Sequence, residues 1–351
     1  MQSASPRSLI LDAIRIFAAG WVLVYHWNGG SGYLQYMDWQ FPIHQFPGWF
    51  DEFARTGFLG VDVFFVLSGA VIGRSAIHKS WDLFARSRLL RLFPAFVLVT
   101  LLTMAVTGYA SSVEVTTDHT LSLFGLFFWV GGESPVGPSW TLAFEVGFYA
   151  LIALAIARYK VLDTNTLVRL TDIYVLFLVA TWTFDNQLIQ LLSLNQFAAQ
   201  FALGLYLAQS TTRESARANT IRIIVASVLS VVLISRRLEV TMVDPTMRLN
   251  VAVAVVTGMV FLVLLSHRMM ENGNQPRWSR SLSTLSLMTY PFYLLHQEVG
   301  LNGIVFFHWA GMGTAMAMAS SLAGVVLLSY LSVKFFEPYA RQQIARWMRW
   351  L

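Results

Sequence analysis

The stretch Leu9–Trp27, LILDAIRIFAAGWVLVYHW, is apolar enough to cross a bilayer, yet it carries Asp12, Arg15 and His26. A charge at membrane depth is costly and persists where it faces a protein interior or a water-filled cavity. Eleven residues separate Arg15 from His26. At ~100° per residue that is about three turns, which leaves both on one face of a helix. At a rise of 1.5 Å per residue they lie roughly 16 Å apart along the axis, about half the hydrocarbon thickness. The helix therefore offers a fixed cation toward one side of the membrane and a titratable imidazole toward the other. The plainer alternative is a snorkelling arginine at one helix end and an interfacial histidine at the other.

Other polar groups fall at similar depth once the crossings are assigned. Asp62 lies in GFLGVDVFFVLSG, Glu145 in PSWTLAFEVGFY with Trp140 and Tyr149 beside it, and His296 in TYPFYLLHQ. Ionisable side chains at matched depth predict a polar cavity. Singly, each has a structural alternative: Asp62 and Glu145 as acids favoured by a helix N-terminus, and His296 as a hydrogen-bonded core histidine. On the opposite side, FARSRLLRLFP sets Arg88 and Arg91 at i and i+3, neighbours on one helix face. Such a pair suits phosphate, and it equally suits a cation cluster that sets topology.

The elements that must position these residues follow from composition. The chain has 351 residues, 56% of them hydrophobic and 12% charged, with a mean hydropathy of +0.57; soluble domains run near 25% charged. An all-α polytopic membrane protein is expected. Cysteine is absent, which excludes disulfides, thiolate catalysis and Cys–zinc sites, and no metal site is read. The opening MQSASPRS leads into too charged a helix for a cleaved signal peptide. No separate soluble domain and no internal repeat is visible over residues 1–351, and without a soluble basic module nucleic acid is not an expected partner despite the net charge of +5.

Ten crossings are predicted, at about Leu9–Trp27, Phe58–Ile72, Leu92–Thr107, Trp140–Ala157, Ile173–Leu191, Phe197–Gln209, Ile221–Ile234, Val251–Leu265, Leu282–Gly300 and Gly313–Phe336. The run Leu121–Val130 is too short to span, ends in Gly131–Gly132, and reads as a re-entrant segment. With the N-terminus in the cytoplasm, 19 of the 24 lysines and arginines fall inside; Arg55, Arg236, Arg237 and Arg248 fall outside and Arg15 within the membrane. That bias agrees with the positive-inside rule and puts both termini in the cytoplasm. His26 then lies near the outer end of its helix. Between the first two crossings Tyr33, Tyr36, Trp39 and Trp49 could stack on sugar rings or form an interfacial aromatic belt.

With these residues assembled, the chain resembles acyltransferase family 3 of integral membrane proteins. Arg15 followed by ten residues and His26 resembles the family's first-helix signature, and GVDVFFVLSG its second-helix motif. Arg88-x-x-Arg91 with Pro94 resembles its cytoplasmic Arg-x-x-Arg-x-x-Pro element; PSWTLAFEVGFY and Tyr293–His296 resemble two later motifs. The ordered set covers essentially the whole chain. Thr141 stands where the family usually has Ser, and Val146 where a second acid is common. A fused esterase-like domain after the last helix, found in some members, is not expected here.

The resemblance implies transfer of an acyl group, acetyl as the usual case, from cytoplasmic acyl-CoA to a hydroxyl of an extracytoplasmic glycan. Lipopolysaccharide O-antigen and exopolysaccharide are such acceptors, free or lipid-linked, in a bacterial inner membrane. On that reading Arg15, Arg88 and Arg91 bind the anionic CoA, and His26 is the base for the hydroxyl or a transient acyl acceptor. Glu145 orients its imidazole as the acid of a triad does. Asp62, Trp140, Tyr149 and His296 line the cavity. Two rival readings remain: a proton-coupled secondary transporter, and an inactive scaffold of a polysaccharide export system. Membrane lipid surrounds the chain in all of them, and a homo-oligomer is left open.

Overall fold

A computed structural model describes residues 8–28, 48–108, 134, 136–182, 194, 196–242, 244–270 and 279–347. Among the described residues there is no strand, and each of the ten expected crossings is helical over at least part of its length. The helices are α1 (Leu9–Trp27), α2 (Gly48–Arg55), α3 (Gly60–Ser75), α4 (Trp81–Val106), α5 (Trp140–Tyr159), α6 (Thr164–Thr181), α7 (Ala198–Ala208), α8 (Arg213–Arg237), α9 (Pro245–Met270), α10 (Ser279–Leu295), α11 (Glu298–Trp309), α12 (Thr314–Leu331) and α13 (Glu337–Trp347). Among the described residues seven helical segments are long and apolar enough to cross a membrane. They are Leu9–Trp27, Gly48–Ser75, Trp81–Val106, Gly137–Tyr159, Arg213–Val240, Pro245–Met269 and Thr314–Arg346. The chain is a multi-pass membrane protein. The expected re-entrant run Leu121–Val130 and the loop aromatics Tyr33, Tyr36 and Trp39 lie outside the described residues.

The chain divides into two compact units, one of Met1–Ala18, Phe58–Ala85 and Phe144–Ser283, the other of Ala19–Gly57, Arg86–Ala143 and Thr284–Leu351. The first unit is built on the crossing of α3 and α7. Gly69 and Gly204 meet there: a Cβ on Gly69 would strike the carbonyl oxygen of Phe201, and one on Gly204 that of Val66. Removing both side chains lets two backbones touch, the device by which membrane helices gain packing when lipid supplies no hydrophobic drive between them. Phe65 packs its ring 4.2 Å from Phe197 and 4.7 Å from Phe201, and Phe148 stacks on Phe201 at 4.0 Å. Local signals start the neighbouring helices. The Asp163 carboxylate caps α6 by accepting from the Thr166 N–H at 2.6 Å, and Thr212 with Ser215 forms a capping box on α8.

In the second unit α1 ends against α11 and α12. Trp27 is 3% exposed and packs with Leu23, Leu301, Ile304 and Ala317. A Cβ on Gly300 would lie 2.8 Å from the Trp27 ring, so only glycine allows that seat. The Ser321 hydroxyl donates to the Gly300 carbonyl at 2.6 Å and ties α12 to α11. The crossing expected as one helix over Leu282–Gly300 is two: α10 stops at Leu295 and α11 starts at Glu298. Pro291 lies within the last turns of α10 and donates no backbone bond. The carbonyl of His296 at the break is satisfied from outside, by the Trp27 indole N–H at 2.7 Å.

Candidate active site

The break between α10 and α11 assembles a nest of polar side chains in the second unit. α1 delivers His26 in its last turn, one residue before Trp27. Because Trp27 bonds the His296 backbone, the two histidines are held in register, and their ring centroids lie 5.0 Å apart at a tilt of 55°. His296 is 1% exposed. Its Nδ1 lies 2.5 Å from the Tyr293 carbonyl oxygen. A carbonyl only accepts, so Nδ1 carries the proton and Nε2 is left with the lone pair in the neutral ring. That Nε2 is buried with no hydrogen-bond partner among the described residues, and the same is true of His26 Nδ1.

The start of α5 closes the nest. A 3-10 turn, Gly137–Ser139, precedes Trp140 and carries Pro138 among its first residues, where a missing N–H costs nothing. The Tyr293 hydroxyl bonds to the Pro138 carbonyl at 3.3 Å and to Thr141 Oγ1 at 3.2 Å, and Thr141 in turn donates to the Pro138 carbonyl at 2.9 Å. The Thr141 hydroxyl thus takes part in both links. Glu298, 6% exposed, lies against the same turn: a Cβ on Gly137 would come 2.5 Å from its Oε1. Its Oε2 has no partner among the described residues. The C-terminal ends of α1 and α10 and the N-terminal start of α5 thus meet at one place.

The remaining candidates sort as follows. Glu145 is in the first unit, where its Oε1 accepts from the Tyr149 hydroxyl one turn along α5 and lies 3.5 Å from the Ser68 hydroxyl. Asp62, also in the first unit, is 1% exposed and bonded to the guanidinium of Arg237 and, at 2.8 Å, to Gln200 Nε2. Trp140 is 39% exposed at the head of α5. Arg15 pairs with Asp12 at 3.4 Å, one turn back on α1, and Asp12 accepts from the Ser283 hydroxyl at 3.1 Å.

Arg88 and Arg91 lie on α4, in the second unit, beside the C-terminal helix. Arg341 Nε donates to the Leu90 carbonyl at 3.0 Å, and Arg86 to the Ala345 carbonyl at 2.9 Å. Glu337, 5% exposed, bonds Arg341 at 2.5 Å and Ser332 at 3.2 Å, and feels the charge of Arg91. Arg88 itself is 9% exposed.

Two features of this nest were not read from the sequence. The signal for Glu298 was its place two residues from His296. The Tyr293–Thr141 link joins residues 152 positions apart, and nothing local announces it.

These features describe a polytopic membrane protein in which two histidine rings meet at helix ends. A family model described as an acyltransferase domain matches residues 9–334. The chain belongs to that acyltransferase family. BcsY of Komagataeibacter xylinus, named provisionally as a membrane-bound transacylase, is 27% identical over 309 residues, covering 81% of this chain and 76% of its own. The O-acetyltransferase OatA of Staphylococcus aureus is 28% identical over 211 residues, 52% of this chain. The match spans only 31% of OatA's length. No solved structure matches the chain.

Proposed function

We propose that the protein is an O-acyltransferase that moves an acyl group, acetyl first among the candidates, from cytoplasmic acyl-CoA to a hydroxyl of an extracytoplasmic glycan. The observation that carries the reading is His26 itself. It stands on the helix that also bears Arg15, in a chain of the acyltransferase family, with a buried ring nitrogen that has no partner among the described residues. The names of BcsY and OatA support the acyl group, and that of OatA supports an oxygen acceptor. Their bacterial sources support the bacterial cytoplasmic membrane as its location.

His26 takes the proton of the acceptor hydroxyl, whose oxygen attacks the thioester carbonyl. The carbon–sulfur bond breaks, the ester forms, and the proton passes from His26 to the departing sulfur. An imidazole suits both transfers because its unperturbed pKa lies near 6.5. Arg15, Arg88 and Arg91 are the residues for the phosphates of CoA. Their planar guanidinium groups match phosphate geometry, and the Asp12 carboxylate paired with Arg15 is of a kind that phosphate replaces.

The test is mass analysis of surface glycans from cells with the gene, without it, and with His26→Ala at equal membrane expression. An acetyl-sized increment present only with the unaltered gene is expected. Unchanged glycans, together with solute flux in vesicles holding the purified protein, would favour a transporter.

A further inference from the structure

Two imidazoles joined by a direct N–H···N hydrogen bond of ~2.9 Å have ring centroids about 5 Å apart, since each ring adds roughly 1.1 Å. The rings of His26 and His296 are 5.0 Å apart. They are turned so that the nitrogens do not meet: His26 Nδ1 and His296 Nε2 are each buried without a partner among the described residues. Leaving two buried polar atoms unmatched is costly, and a rotation of the His26 ring about its Cβ–Cγ bond is not. Which atom donates is settled by His296. Its Nδ1 proton is committed to the Tyr293 carbonyl at 2.5 Å, so Nε2 is the acceptor of the pair.

We propose that His296 is a positioning residue for His26: its Nε2 accepts a hydrogen bond from His26 Nδ1–H, which fixes the tautomer that leaves the lone pair on His26 Nε2, the nitrogen that takes the acceptor proton. A buried carboxylate does this work in a Ser-His-Asp triad. Here a neutral imidazole does it, itself held by Tyr293 and, through its backbone carbonyl, by Trp27. The charged and titratable neighbours of the pair are Tyr25, whose ring lies 5.1 Å from that of His26, Tyr293 at 5.6 Å from His296, and Glu298 two residues on. The inference rests on the reading of His26 as base, and two readouts separate the two ideas.

The tautomer is read on the unaltered protein, by ¹⁵N NMR of ¹⁵N-histidine-labelled material in detergent, with His26 assigned by the signals lost in His26→Gln. A protonated Nδ1 and an unprotonated Nε2 are expected. A protonated Nε2 on neutral His26 overturns the proposal whatever the enzyme does. Activity is read with [¹⁴C]acetyl-CoA and a glycan extract of the producing cells. His296→Leu is expected to lower kcat about 100-fold, within the range of general-base effects, with KM for acetyl-CoA within twofold. His296→Gln, whose amide oxygen can accept the same bond, is expected to restore at least tenfold of that loss. Equal kcat in the two variants at equal folded amounts also overturns it. Failure of the unaltered protein to transfer acetyl sinks the reading of His26 as a base and leaves the tautomer measurement standing.

Discussion

Replacing Arg237 by Met tests whether the acid of the second-helix motif is structural. Asp62 is 1% exposed and its carboxylate is answered by Arg237 and by the Gln200 amide at 2.8 Å. Arg237 also donates to the Gln196 carbonyl at 2.6 Å, and its guanidinium lies 4.7 Å from the centre of the Phe197 ring. Removing one partner of a buried pair leaves an uncompensated charge, at a cost of about 3–5 kcal/mol. The lower end applies, because the Arg237 side chain is 22% exposed and water can reach the place it leaves. With an unfolding entropy of ~2.1 cal/mol/K per residue, a loss of ~3 kcal/mol lowers Tm by about 4 °C in a chain of this size. Asp62→Asn added to Arg237→Met removes the stranded charge and keeps an acceptor for Gln200, so most of that drop is recovered. Thermal melts of the three proteins in one detergent measure this. Acetyl transfer per folded molecule stays within twofold throughout, since neither residue enters the proposed chemistry. An unchanged Tm in Arg237→Met, or a double variant no better than the single, refutes the reasoning.

Two further outcomes are expected. Asp163 caps α6, and the hydrogen bonds from Thr166 hold its carboxyl below the usual value of 3.8. A carboxyl whose folded pKa is depressed adds stability above its unfolded pKa and loses it as pH falls through the folded one. Asp163→Ala therefore lowers Tm at pH 7 and has no effect once the pH is well below 3.8, as paired melts across that range check. Arg91→Met removes a charge-assisted contact to phosphate worth ~1.5–3 kcal/mol, which raises KM for acetyl-CoA about tenfold or more and leaves kcat within twofold. An unchanged KM would make Arg91 a topology-setting cation only.

Much of this was legible in the chain. An apolar stretch long enough to span leaves little choice but helix, because unpaired backbone groups cannot be left in lipid. The Arg15–His26 spacing was readable for the same reason: one uninterrupted helix, α1, joins the two. What local pattern could not supply was pairing at a distance. The partner of Asp62, Arg237, lies 175 residues on and read as a loop cation, so their pairing was not legible. Within the first unit the Glu145 carboxylate is engaged with Tyr149 and Ser68, and within the second the ring beside His26 is that of His296; no local spacing announces the Ser68 and His296 contacts. The stop between α10 and α11 was hidden because the indole N–H that satisfies the carbonyl at the break comes from Trp27, 269 residues earlier.

The central claim is that His26 catalyses acyl transfer from acyl-CoA to a glycan hydroxyl. The direct measurement is incorporation of label from [¹⁴C]acetyl-CoA into glycan extracted from the producing cells, by purified protein in lipid vesicles, for the unaltered chain and His26→Ala at matched folded amounts. The account predicts labelled glycan from the first and a rate lower by about 10²–10⁴ from the second. Equal labelling by both proteins would contradict it.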